Sequence, residues 1–235
     1  RFIFLKSNGL ILESKKKKIH CPNINVTEVI PQNISFDIII NTVKLYDFDD
    51  INKKILKRIK KTPLIIPFQN GIYAEEKIKK TYGGKSTIGA VAQISVFVDK
   101  NQHIKHVGKL ATFFVGRYEK QKDNFLENFC EKCQNLGLEI YYKENIKEKI
   151  WEKFIFLSAY SGMTTKEKKT IGEIFEDDSL RMIFIDAMKE TFNLSKKFLV
   201  KFQRNPIDFW IEKIKKMPYD MTSSMHLDLI KKKKL

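Results

Sequence analysis

Phe68-Gln69-Asn70-Gly71 follows an apolar run, Leu64-Ile65-Ile66, that stops at Pro67, and a helical pattern resumes near Ala74. An asparagine–glycine pair tolerates positive φ and often marks a tight turn. The carboxyl ends of strands that feed helices are also where α/β sheets bind ligands, and an asparagine amide offers a donor and an acceptor together. On the residues alone Asn70 is open to both readings. Cys130-Glu131-Lys132-Cys133 is a second pattern with chemical potential, but it lies inside the helical pattern of residues 124–137. A redox pair normally sits at a helix start, where the dipole lowers the thiol pKa. A zinc site needs two more ligands, and no second Cys or His cluster supplies them. Packing in a buried helix is the expectation, with no metal.

The elements that must position Asn70 alternate strand and helix. A helix tail at 1–8 ends at Gly9, and residues 10–14 read as a short strand before the lysine run 15–18, an exposed hairpin or loop. Residues 36–43, apolar and β-branched, have the pattern of a central parallel strand. Phe48-Asp49-Asp50 opens a helix to about Lys60, with acidic residues where the dipole favours them. A strand at 64–66, a helix at 74–81 and an extended stretch from Thr87 follow. Strands near 104–107 and 111–116, punctuated by Gly108 and Gly116, suggest a hairpin. A helix at 123–136 and a strand at 138–142 complete this half. From Asn145, a cap with Glu148 at the capping-box position, the pattern is helical: one helix to about Ala159, then 171–176, 178–200, 205–216 and 222–233. The expected organisation is a Rossmann-like α/β domain at 1–143 and an all-α domain at 144–235.

Composition narrows the function classes. The 235 residues are 43% hydrophobic, enough for a core, and no apolar run approaches the roughly 18–20 residues of a membrane span. The opening residues lack a signal-peptide pattern, so a cytoplasmic location is expected. The formal charge of +16 suggests nucleic acid, yet only five of the 44 basic residues are arginine and the lysines spread along the whole chain. Solvated charge is the preferred reading and no nucleic-acid partner is expected.

An α/β domain of this order usually begins with a strand, a glycine-rich turn, a helix and a second strand. Here no Gly-x-Gly-x-x-Gly occurs, and Gly83-Gly84 lacks the spacing. The expectation is a fragment trimmed at both ends.

Four blocks then become recognisable in order: Thr42-Val43-Lys44-Leu45-Tyr46-Asp47, Gln69-Asn70-Gly71, Trp151-Glu152-Lys153-Phe154, and Thr222-Ser223-Ser224-Met225-His226-Leu227-Asp228. Together they resemble the ketopantoate reductase (2-dehydropantoate 2-reductase) family, across nearly the whole chain. The resemblance implies NADPH-dependent reduction of 2-dehydropantoate to pantoate, in pantothenate and coenzyme A biosynthesis. It implies an NADP-binding Rossmann domain followed by a helical domain like that of 6-phosphogluconate dehydrogenase, with the active site in the cleft between them. Homodimers are common in the family. The family's glycine loop would precede Arg1, and its assisting glutamate would fall just past Leu235, so the piece alone is expected to be inactive.

The resemblance also implies roles. Lys153 is the catalytic residue, supplying positive charge and a proton at the ketone oxygen; a lysine snorkelling from the helix rim is the alternative. Asn70 contacts cofactor and substrate, Lys44 contacts the cofactor, and Ser95 reaches it through its backbone. Ser224 binds the substrate carboxylate, although Ser223-Ser224 can equally be a helix cap. Asp228 orients its neighbours on the same face. Leu157 and Ser161 stand where known members carry asparagine, which is the mark of a divergent branch and opens other 2-keto acids. A degenerate, non-catalytic relative is the further alternative.

Overall fold

Gly9 ends the first helix by adopting φ 69° while its N–H returns to Leu5 O at 2.9 Å. A Cβ there would sit 2.2 Å from Cys21 O. The helix is α1 (Phe2–Asn8), and the chain turns directly into β1 (Leu10–Ser14). The computed structural model describes residues 1–14, 17–32 and 34–235. β1 pairs antiparallel with β2 (Lys17–Cys21), from Leu10 opposite Cys21 to Ser14 opposite Lys17. Of the lysine run, Lys15 and Lys16 lie outside the described residues. Lys17 and Lys18 open a strand rather than a loop, because pairing with β1 satisfies their backbone while every side chain of β2 stays in solvent.

The apolar run at 36–43 yields β3 (Ile38–Asn41), followed by a 3₁₀ turn at Leu45–Asp47 and α2 (Phe48–Leu56). α2 buries Phe48, Asn52 and Ile55, one helical stripe, and carries Asp49 and Asp50 in its first turn. β4 (Leu64–Pro67) pairs parallel with β3, Ile38 opposite Leu64 and Asn41 opposite Pro67. β3 is therefore not a central strand: among the described residues it pairs with β4 alone, and Ile40 is 53% exposed. α3 (Tyr73–Tyr82) follows, and Phe48, Ile65, Ala74 and Ile78 close one small core.

β5 (Ile88–Val98) and β6 (Ile104–Arg117) form a long antiparallel pair. The hairpin expected around Gly108 is instead an irregularity within one strand. The register shifts between Ile94, opposite Ala111, and Val96, opposite His106, and Gly108 takes φ 83°. Ser95 thus faces the bulged residues 107–110, and the reversal of direction falls at residues 99–103. β6 also pairs parallel with β1, and with β7 (Ile140–Tyr142) after α4 (Asn124–Asn135). The result is a mixed sheet in the order β2-β1-β6-β5 with β7 beside β6, bridged to β4 by Ile65 and Thr87. Asp123 caps α4 by accepting from Leu126 N at 3.0 Å. Cys130 packs with Ile66, Ile88, Val115, Leu126 and Ile140, and burial pushes its thiol up to about 11, away from the reactive range.

The second half is helical. α5 (Ile146–Glu167) does not stop near Ala159; it runs about two further turns, through Gly162. A mid-helix glycine costs about 1 kcal/mol, while Ala159, Tyr160, Met163 and Thr164 bury the flanking turns. α6 (Ile171–Glu176) starts at a capping box between Thr170 and Glu173, α7 (Asp178–Lys197) at Asp177, and α8 (Pro206–Ile214) at Asn205 with Pro206 in its first turn. α9 (Ser224–Ile230) is the last helix described. Phe156 stacks on Tyr160 at 4.8 Å and on Trp210 at 4.2 Å, each ring pair worth about 0.5–1.5 kcal/mol beyond its buried area. Two compact units result: Arg1–Gln69 with Ala74–Ile146, and Asn70–Tyr73 with Lys147–Leu235. The mixed sheet with helices, then the helical half, is the expected fold class. No helix among the described residues is long and apolar enough to cross a membrane.

Candidate active site

α5 carries the central side chain. Ile150, Trp151, Ile155, Phe156, Ala159 and Tyr160 recur at helical spacing and are buried, which fixes the roll of the helix. Lys153 lies off that stripe, half-buried. Its Nζ donates to Asn70 Oδ1 at 2.8 Å. An ammonium has donors only, so the oxygen end of the Asn70 amide must face it and the Nδ2 donor is directed elsewhere. The Asn70–Tyr73 segment belongs to the same unit as α5, although β4 and α3 flank it in the chain.

Asn70 is exposed, and Gly71 takes φ 88° beside the Phe154 ring. A Cβ at Gly71 would lie 3.8 Å from Phe154 Cε2, an ordinary contact, so the backbone angle rather than space asks for glycine. Turn and amide contact are therefore both present at Asn70-Gly71.

Glu152, the neighbour of Lys153, is buried with 6% of its surface exposed. Its carboxylate meets Lys149 Nζ at 3.1 Å and Arg204 at 3.4 Å, and its carbonyl accepts from Trp210 Nε1 at 2.6 Å. Lys213 lies over Phe209 and Trp210 at 4.6 and 5.2 Å. Desolvation holds its ammonium below the usual lysine value, with Glu152 opposing the shift. Glu148 Oε1 accepts from Gln203 N at 2.8 Å, a second tie between α5 and the segment before α8.

The remaining expected residues are placed as follows. Lys44 is exposed, with φ −62° and ψ 149°, just beyond β3 and leading into the 3₁₀ turn. Ser95 is exposed at the register shift of β5. Ser224 is the first residue of α9 and exposed, while Ser223 is the cap: its Oγ accepts from His226 N at 3.1 Å and meets Thr164 Oγ1 at 2.7 Å. Thr164 lies three turns of α5 beyond Lys153, roughly 16 Å along the axis. The contact that anchors α9 is thus remote from the ammonium. Asp228 is half-buried one turn after Ser224. Leu157, one turn after Lys153, packs against the helical core, and Ser161 is half-buried.

Sequence reasoning missed the pairing of two residues of the first unit, one of them the chain neighbour of Asn70. Asn41 and Gln69 are bonded to one another through their amides at 3.0 Å, at the carboxyl ends of β3 and β4. The one signal was an asparagine closing a run of isoleucines, since asparagine is a poor strand residue.

Comparison with known proteins extends beyond the quoted blocks. Residues 3–120 match the model described as Ketopantoate reductase PanE/ApbA, and residues 145–235 match Ketopantoate reductase PanE/ApbA C terminal. The uncharacterized oxidoreductase YkpB of Bacillus subtilis is 23% identical over 231 residues, 96% of this chain and 74% of that protein. The 2-dehydropantoate 2-reductase of Pyrococcus horikoshii is 29% identical over 209 residues, 88% of this chain and 67% of that protein. The fold is similar to that of a D-mandelate dehydrogenase solved with NADH and anilino(oxo)acetate, with a TM-score of 0.83 at 17% identity over 98% of this chain and 75% of the other. With both parts of the chain matched in order, it belongs to the ketopantoate reductase family.

Proposed function

We propose that the protein reduces the ketone of a 2-keto acid with NADPH, 2-dehydropantoate to pantoate being the first reaction to test. The reading rests on one observation, the 2.8 Å hydrogen bond from Lys153 Nζ to Asn70 Oδ1. It joins the only two residues of the expected site that need to meet at a carbonyl.

The side chains present fit a nicotinamide dinucleotide. Lys44 and Asn70, both exposed, follow the carboxyl ends of the parallel strands β3 and β4, the position where α/β sheets bind nucleotides. An ammonium and an amide suit its phosphates and hydroxyls. Lys44, Asn70 and the backbone at Ser95 are the residues that the family resemblance assigns to it. When bound, the reduced nicotinamide supplies the hydride to the ketone carbon.

Lys153 does the rest of the chemistry. Its ammonium hydrogen-bonds the ketone oxygen, stabilises the negative charge that develops there and gives it a proton, leaving a hydroxyl. Three donors allow the ammonium to hold Asn70 and the substrate oxygen together. Asn70 Oδ1 aims the ammonium, and Nδ2 offers a donor to cofactor or substrate. Ser224 for the substrate carboxylate, with Asp228 orienting its neighbours, rests on the family resemblance alone, since α9 is anchored at Thr164, three turns from Lys153.

Leu157 favours a second reading, another 2-keto acid as substrate. It places an apolar side chain one turn from Lys153, where a hydroxylated substrate would gain from a hydrogen-bonding residue. The experiment is steady-state turnover by the full-length protein with NADPH and a panel of 2-keto acids that includes 2-dehydropantoate. Turnover of 2-dehydropantoate above the rest supports the first reading; a preference for a less hydroxylated acid supports the second. A protein that turns over none of them is a non-catalytic relative.

A further inference from the structure

Asn41 is 4% exposed, and its Oδ1 accepts from Val43 N at 3.3 Å and from Gln69 Nε2 at 3.0 Å. Gln69 Nε2 also donates to Val43 O at 2.9 Å. A backbone N–H only donates and a carbonyl only accepts, so Val43 fixes the orientation of both amides. The atoms left over, Asn41 Nδ2 and Gln69 Oε1, are buried and have no partner among the described residues. The backbone joins the same knot, with Phe68 N donating to Asn41 O at 3.0 Å.

This is a poor arrangement for stability. A buried donor and a buried acceptor without partners destabilise a fold, whereas two apolar side chains of the same size leave nothing unpaired. What the knot does achieve is local. It ties Asn41, Val43 and Phe68 to Gln69, the residue whose peptide bond leads into Asn70. Without it the turn at residues 69–73 is free to drift, and a misplacement of about 1 Å at a reacting group costs as much as a hundredfold in rate.

We propose that the Asn41–Gln69 amide pair is a positioning device, kept at the expense of stability, that fixes the start of the Asn70 turn. Its consequence for turnover rests on the reductase reading; its consequence for the backbone does not. The test compares the full-length protein with the double variant Asn41→Leu/Gln69→Met and the single variant Gln69→Glu. Melting temperature, hydrogen exchange of the amides of residues 69–73, and kcat and KM for the preferred 2-keto acid are measured on each. The double variant is expected to melt at or above the wild-type temperature. Its exchange at residues 69–73 rises, and kcat falls roughly ten- to a hundredfold while KM changes little. Gln69→Glu keeps the size but loses both donated bonds, and it is expected to exchange faster at the same residues. A double variant that melts well below wild type makes the pair a structural bond and overturns the proposal, as does unchanged exchange in both variants. A wild-type protein without turnover removes the reductase reading, and the exchange and melting results then decide the positioning claim alone.

Discussion

Glu152 and Lys153 are neighbours on one helix, both charged, and they are treated in opposite ways. Glu152 is turned into the helical unit, where Lys149 and Arg204 neutralise it and the Trp210 indole is tied to its carbonyl. A charge taken out of water persists only with such partners. Lys153 stays half-exposed, beside an amide at the tip of a turn. The Asn70 amide accepts from this ammonium and holds it at the turn. One residue holds α5 to the segment before α8; the next meets the Asn70 turn and is the one proposed for the chemistry.

That contrast can be broken at either residue. The larger expected effect is on rate: Lys153→Ala is expected to lower kcat about 10²- to 10⁴-fold and to leave the melting temperature nearly unchanged. A fall in stability with intact turnover would reverse the roles. The smaller effect is on stability. Glu152→Gln leaves Lys149 and Arg204 without their carboxylate, and because Arg204 is half-exposed the loss is about 1–2 kcal/mol, or 2–4 °C in melting temperature per kcal/mol. Its kcat, measured well below the melting point, is expected to match wild type. Equal rate losses for the two substitutions would dissolve the comparison.

Much of the scaffold was legible because it follows local rules. The strands at 10–14 and 64–67 are apolar runs between turn residues, and the helices after Asp123, Thr170 and Asn205 begin at side chains that cap. The misreadings arise where pairing overrides propensity. β2 is a lysine-rich strand with its side chains in solvent, so no apolar alternation announces it and the residues left hairpin and loop both open. Gly108 reads as a turn, yet β6 continues through it because β5 supplies partners on both sides of the bulge. The helical pattern was taken only to about Ala159, yet the buried side chains around Gly162 carry α5 on. At the site, the residue types were visible but their meeting was not. Asn70 and Lys153 are distant in sequence, and only the resemblance put them together. Gln69 stands in one of the quoted blocks but Asn41 does not, and their pairing shows only in the hydrogen bonds and the two buried atoms left without partners.

Whether Asn70 and Lys153 act on one carbonyl as a unit is tested most directly by a double-mutant cycle on kcat with 2-dehydropantoate, or with the preferred 2-keto acid. Lys153→Ala, Asn70→Ala and the double variant are compared with wild type. Once the ammonium is gone the amide has nothing to aim, so the double variant is predicted to be no slower than Lys153→Ala within about threefold. Losses that simply multiply would contradict it, because the two groups would then be acting independently.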